Sequence, residues 1–204
     1  MKGGEIHLFF NRLCCTYYLN LDLNLIEKSV LNLDGLIKEI LDFSRNDRTE
    51  IKAELIDFEK LIGECYDDLK YLETNNPIKR IVSVKGVGPS YSDIKRLKIL
   101  FNNLISNALR YHNSKQESAY IRIEVEQDRH KAILKVIDNG TGISSEIIGN
   151  IFKMFYRGSG NSKGSGLGLY IAKEVVEKLN GILTVESELG KGSTFTVKLQ
   201  SLNP

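Results

Sequence analysis

Apolar positions along the chain fall into two regimes. In the first, Ile26, Val30, Leu33, Ile37 and Ile40 repeat at alternating spacings of four and three, an a/d seam lasting about two heptads. Glu27, Lys28, Lys38, Glu39 and Asp42 lie off it. A helix this short is marginal alone, so the seam must pack, either on its own domain or in a dimeric bundle. Upstream, residues 1–18 carry apolar clusters (Leu8-Phe9-Phe10 and 13–18) without caps or a clean period. Ser44-Arg45-Asn46-Asp47-Arg48 breaks the helical pattern. The boundary is expected near 47–57, dividing the chain into a helical segment, 1–50, and a larger domain, 51–204.

The second regime alternates helical and strand patterns. Leu61, Ile62, Cys65, Leu69 and Leu72 predict a helix over 58–71, stopped at Asn75-Asn76-Pro77. A strand over 78–84 and a turn at Gly86-Val87-Gly88-Pro89 follow. Ser92 or Asp93 caps a helix reaching 111, whose core face is Leu97, Leu100, Phe101, Leu104, Ile105 and Ala108. Its other side carries Asn103, Asn107, Arg110 and Tyr111 on one stripe. Asparagine is a mediocre helix former; a functional site and a solvated polar face both account for the pair. Strands over 120–126 and 132–138 form a hairpin, and the second carries Asp138 to its end. A short helix from 144 uses Ile147, Ile148 and Ile151; after Phe152, Phe155 and Tyr156 comes the polar, glycine-rich stretch 157–163, expected to be mobile. A helix over 167–179 and a hairpin of strands 182–186 and 193–199 complete the pattern.

Composition changes this picture little. With 204 residues, 42% hydrophobic, 26% charged and a net charge of +2, the chain reads as an ordinary globular protein with no case for a nucleic-acid partner. No apolar run reaches the ~20 residues of a membrane helix. Three cysteines, Cys14, Cys15 and Cys65, give neither a disulfide framework nor a metal-binding spacing. A cytoplasmic chain is expected, by itself or as part of a longer, membrane-anchored one.

The chemistry concentrates between two glycine clusters, Asp138-Asn139-Gly140-Thr141-Gly142 and Gly164-Ser165-Gly166-Leu167-Gly168-Leu169. The first puts one carboxylate at a strand tip beside a backbone free to turn tightly. The second opens a helix whose unpaired amides suit phosphate. Together they point to a nucleotide. A phosphate-binding loop of the Gly-x-x-x-x-Gly-Lys-Ser/Thr type is absent. Glycines 164, 166 and 168 imitate a dinucleotide fingerprint, but the strand it requires just before them is replaced by 158–163.

The order of these motifs resembles the ATPase domain of sensor histidine kinases, within the superfamily that includes type II topoisomerase, mismatch-repair and heat-shock chaperone ATPases. Residues 103–111 look like the N box, 138–142 and 164–169 like the two glycine boxes, 152–157 like the F box, and Gly192-Ser193-Thr194-Phe195 like the closing Gly-x-Thr element. The resemblance covers roughly 55–200, and 33–45 resembles the second helix of the dimerisation and phosphotransfer bundle. It implies an α/β fold: a two-layer sandwich of a mixed sheet and three main helices (Bergerat-type ATP-binding fold), preceded by a helical segment. It implies transfer of the γ-phosphate of Mg-ATP to a histidine, a response regulator receiver domain as partner, and a homodimer through the N-terminal helical region. Asp138 would accept a hydrogen bond from adenine, with Gly140 and Gly142 allowing close approach and Thr194 holding Asp138 from the next strand. Asn107 would ligate Mg²⁺; Asn103, Arg110, Gly164, Gly166, Leu167 and Gly168 would surround the phosphates; Tyr111 would line the base or ribose. Residues 143–163 would form an ATP lid, packed against the body by Phe152 and Phe155. No phosphoacceptor is identified: His7 lacks an acidic neighbour, while His112 and His130 lie at a helix end and a hairpin turn. The alternatives are a nucleotide-binding pseudokinase or an ATP-driven clamp; the F box favours the kinase branch.

Overall fold

The computed structural model describes residues 49–72, 78–113, 116, 118–158 and 164–202, together with the isolated positions 26, 30, 37 and 40. Two compact units divide the chain, Met1–Asp42 and Phe43–Pro204. In the first, Ile26, Val30, Ile37 and Ile40 are helical and exposed. Leu33, His7, Cys14, Cys15, the apolar clusters of 1–18, the 44–48 break and the Asn75-Asn76-Pro77 stop lie outside the described residues.

The second unit is a two-layer α/β sandwich. Its strands are β1 (Glu54–Leu55), β2 (Lys79–Gly86), β3 (Tyr91–Ser92), β4 (Tyr120–Gln127), β5 (Lys131–Asp138), β6 (Ile182–Glu188) and β7 (Gly192–Gln200). Its α-helices among the described residues are α1 (Phe58–Asp68), α2 (Ile94–Arg110) and α3 (Gly168–Lys178). The main sheet has the order β2-β4-β5-β7-β6, with β2 parallel to β4 and the remaining pairs antiparallel. Strand alternation explains the layers. Ile121, Ile123 and Val125 of β4, Ala132, Leu134 and Val136 of β5, and Phe195, Val197 and Leu199 of β7 are buried, while the residues between them are half-buried or exposed. The helices supply the other half of this core: Leu97, Leu100, Phe101, Leu104 and Ile105 of α2 are at most 1% exposed.

β1 and β3, two residues each, pair antiparallel in a separate ribbon that the sequence pattern does not reveal. Next to it, α2 starts at Asp93, whose carboxylate caps the helix by accepting from the Arg96 amide. The same carboxylate accepts from the Lys52 amide (3.1 Å) and pairs with the Arg96 guanidinium, which donates to the carbonyls of Thr49 (2.7 Å) and Glu50 (3.3 Å). Arg96 is 2% exposed, so the entering chain is fastened by a buried ion pair whose hydrogen bonds are distributed over three backbone groups. Burial alone would raise the Asp93 carboxyl; the Arg96 and Lys52 amides and the guanidinium outweigh it and hold it below its ordinary value. Cys65 is fully buried, and burial pushes its thiol up to about 12, which makes it packing rather than chemistry.

Where a short helix is expected after 144, the chain forms a turn and one 3₁₀ turn, Ile148–Asn150. Gly149 and Asn150 oppose helix propagation there.

Candidate nucleotide site

The strand alternation that buries β5 also orients Asp138. It is the last residue of β5 on the inward side, in phase with Ala132, Leu134 and Val136, and is only 8% exposed. Burial raises its carboxyl above the ordinary range, and the amides of Gly140 and Ser193 partly offset this. Gly140 donates to Asp138 Oδ1 at 2.8 Å. A cavity of about 440 Å³ opens beside it, lined among others by Asn107, Tyr111, Asp138, Ile143, Tyr156 and Gly166. That volume suits a cofactor-sized ligand.

The loop after Asp138 is held from both sides. Thr141 donates its amide to the Tyr111 carbonyl at 2.9 Å, tying the loop to the end of α2. Gly190 donates to the Thr141 carbonyl at 2.7 Å, and Ile143 donates to Ser187 Oγ at 2.8 Å, tying it to the β6–β7 turn. Gly142 has φ +67°, and a Cβ there would lie 2.0 Å from the Glu188 carbonyl oxygen. Asn139 points the other way: its side chain accepts from the Tyr120 amide and donates to the Ser118 carbonyl, fixing the start of β4.

The second glycine cluster approaches the polar stripe of α2. A Cβ on Gly164 would lie 2.9 Å from Arg110 Nη1, and one on Gly168 would lie 2.9 Å from Asn103 Oδ1. Gly166, with φ +78°, packs on the backbone of Phe155 and Tyr156. Leu167, at the N-cap of α3, offers no side-chain cap, and the start of a helix is where backbone amides suit an anion. A smaller cavity of about 80 Å³, lined by Asn103, Asn107, Arg110, Gly164 and Gly168 among others, lies along this contact.

Most of the residues singled out in the sequence therefore meet here: Asn107, Tyr111, Asp138, Gly142, Gly164 and Gly166 line the larger cavity, Asn103, Arg110 and Gly168 the smaller. Gly140 and Leu167 act by supporting the loop and the helix start. Two residues fall elsewhere. Thr194 pairs with Ile137 on the opposite face of the sheet, and it is Ser193 that stands across from Asp138 and lines the larger cavity. A one-residue step along a strand reverses the face. Phe155 is 53% exposed, in the left-handed region at φ 60°, and does not line the larger cavity; from the same segment Ile143, Ile147, Ile151 and Tyr156, among others, do. Residues 159–163 lie outside the described residues.

The chain is similar to known proteins in sequence and in fold. The sensor protein SrrB of Staphylococcus aureus (strain NCTC 8325 / PS 47) is 34% identical over 180 residues, covering 82% of this chain and 29% of SrrB, so the chain spans less than a third of that relative. The histidine kinase AdeS of Acinetobacter baumannii has the same fold (TM-score 0.68, 25% identity, 86% of this chain and 84% of that one). So does full-length ShkA, solved in complex with AMPPNP (TM-score 0.70, 22% identity, 84% of this chain and 36% of that one), a likeness of fold alone. Residues 92–203, which contain α2, both glycine clusters and the strand that carries Ser193, match the family described as histidine kinase-, DNA gyrase B-, and HSP90-like ATPase, and the chain belongs to that family.

Proposed function

We propose that this chain is the ATP-binding catalytic part of a two-component sensor histidine kinase, which holds Mg-ATP and delivers its γ-phosphate to a histidine. The observation that carries the reading is Asp138, a buried carboxylate lining a cavity that also reaches the glycine-rich approach to α3. A carboxylate there accepts from the 6-amino group of adenine and repels the 6-carbonyl of guanine. A hydrogen bond to a charged acceptor is worth about 1.5–3 kcal/mol. Tyr111 flanks the base or ribose, and Arg110 with the first amides of α3 neutralises phosphate charge.

The donor set fits magnesium. Among the described residues no cluster of three His, Cys, Asp or Glu side chains is placed to hold a metal. Asn107 offers a neutral amide oxygen between the two cavities, and Mg²⁺ commonly takes one or two protein ligands and completes its shell with phosphates and water. When bound, the ion neutralises phosphate charge; Asn107 positions it without adding a negative charge.

No helix among the described residues is long and apolar enough to cross a membrane. A response regulator is the expected partner, and the helical seam is the expected contact with a second copy. The histidine that receives the phosphate is supplied from outside the nucleotide unit.

Calorimetric titration with ATP and GTP in Mg²⁺ tests the reading at its base. ATP is expected to bind at least about tenfold more tightly, the equivalent of ~1.4 kcal/mol. Equal affinities, or no binding, would overturn it. Incubation with γ-labelled ATP is expected to leave this chain unlabelled while placing acid-labile label on a separately supplied histidine-bearing bundle.

A further inference from the structure

Ser187 lies on β6, one strand beyond Ser193, and its hydroxyl meets three partners. It donates to the Gly192 carbonyl at 2.8 Å, accepts from the Ile143 amide at 2.8 Å, and lies 2.9 Å from Ser193 Oγ. A serine hydroxyl has one proton and two lone pairs. A carbonyl only accepts, so the Ser187 proton is committed to Gly192. The Ile143 amide only donates, so it occupies one lone pair. The remaining lone pair faces Ser193, which must therefore supply the proton of the Ser187–Ser193 bond.

This arrangement sets the polarity of Ser193. With its proton turned toward Ser187, Ser193 has only lone pairs left for the cavity it lines beside Asp138. We propose that Ser187 is a specificity-setting residue: by fixing the Ser193 hydroxyl as an acceptor, it places a second acceptor beside the Asp138 carboxylate. The proposal rests on the adenine-nucleotide reading above and extends it. An amino group at position 6 of a purine, or a water carrying its proton onward, finds two acceptors there. A carbonyl at that position finds no donor from either Asp138 or Ser193. Without Ser187 the Ser193 hydroxyl is free to rotate and offer its proton to that carbonyl. Ser187 itself touches no nucleotide; it acts through Ser193.

The test is the ratio of GTP to ATP dissociation constants, measured by calorimetry on the full chain with Mg²⁺. Ser187→Ala is expected to lower that ratio about tenfold, largely through tighter GTP binding, the scale of one recovered hydrogen bond. Ser187→Thr keeps the hydroxyl and is expected to keep the wild-type ratio. Ser187→Cys, similar in size but a poor acceptor, is expected to follow alanine and stands in for it should the alanine variant not fold. In a Ser193→Ala background, Ser187→Ala is expected to leave the ratio unchanged, because the proton at issue is gone. A structural role alone would weaken both nucleotides alike, and that result, or an unchanged ratio in both Ser187→Ala and Ser187→Cys, would overturn the proposal. Failure of the adenine reading shows separately, as no preference in the unmutated chain.

Discussion

The two ends of the proposed nucleotide site, an Asp138 end for the base and an α3 end for the phosphates, are built by different means. At the base end, backbone holds backbone: the loop 139–143 is bonded to the Tyr111 carbonyl on one side and to the β6–β7 turn on the other, and Gly142 abuts the Glu188 carbonyl. At the phosphate end, Gly164 and Gly168 approach the side-chain tips of Arg110 and Asn103. Backbone in a packed sheet cannot move aside, whereas a guanidinium or amide at the end of a side chain can. The base end is thus a fixed mould, and the phosphate end is adjustable at Gly164 and Gly168, although Gly166 between them still abuts the backbone of Phe155 and Tyr156. A planar base is the same object throughout a phosphate-transfer cycle, while the phosphates change in number and charge.

Adding one methyl group at each end separates these cases most sharply. Gly142→Ala combines a left-handed φ of +67° with a contact of 2.0 Å to a carbonyl oxygen. It is expected to destabilise the domain by about 3 kcal/mol and abolish ATP binding. Denaturant unfolding and calorimetry measure both effects; a variant of wild-type stability would show that the loop is not clamped.

Asp138→Asn should be intermediate, with opposite effects on binding and stability. Loss of the charged acceptor is expected to weaken ATP by about 10–100-fold. Stability should move the other way. Because burial raises the Asp138 carboxyl in the folded state, the native protein binds its proton more tightly than the unfolded chain. Stability from this group therefore falls as pH rises from the ordinary carboxyl value of 3.8 through the raised folded one, and the full penalty is present above that. The asparagine variant escapes it, so its advantage over the wild type in unfolding free energy should grow from acid to neutral pH. An advantage that is constant with pH would contradict the assignment.

Gly168→Ala is expected to have the smallest effect. Its φ is ordinary, the only crowding atoms belong to the Asn103 side chain, and alanine favours the helix it begins. Stability should change by less than about 1 kcal/mol. Affinity for ATP should fall more than affinity for adenosine, because only the phosphate side has been disturbed. Equal losses for both ligands would show that the two ends are not separable.

The sequence made this division partly legible. α2 and its polar stripe, the β4–β5 hairpin and both glycine clusters were readable because each rests on local signals: Asp93 as cap, period-2 burial in β5, glycines where φ is positive. Ser193 was not picked out, although the signal was available. Phe195, Val197 and Leu199 set the inward phase of β7, and Ser193 shares it while Thr194 does not. Neighbouring residues of one motif face opposite sides of a sheet, and strand alternation alone decides which faces inward. Phe155 shows the reverse: aromatic character predicts packing, yet the residue stands 53% exposed on a left-handed backbone. The two-residue strands β1 and β3 leave no local signal because their paired residues, Glu54 with Ser92 and Leu55 with Tyr91, are far apart in the chain and each strand is too short to show a period of its own.

The fastening at Thr49 and Glu50 has a mechanical consequence. α2 is 17 residues long, a rod of about 25 Å. Arg96 and Asp93 grip the incoming chain at one end of that rod; Asn107 and Arg110 ride on the other. The contacts that fix residues 49–52 and the polar stripe proposed to meet the phosphates thus sit on one rigid element, so a change in how the chain enters at Thr49 and a change in the tilt of that stripe are the same movement of α2.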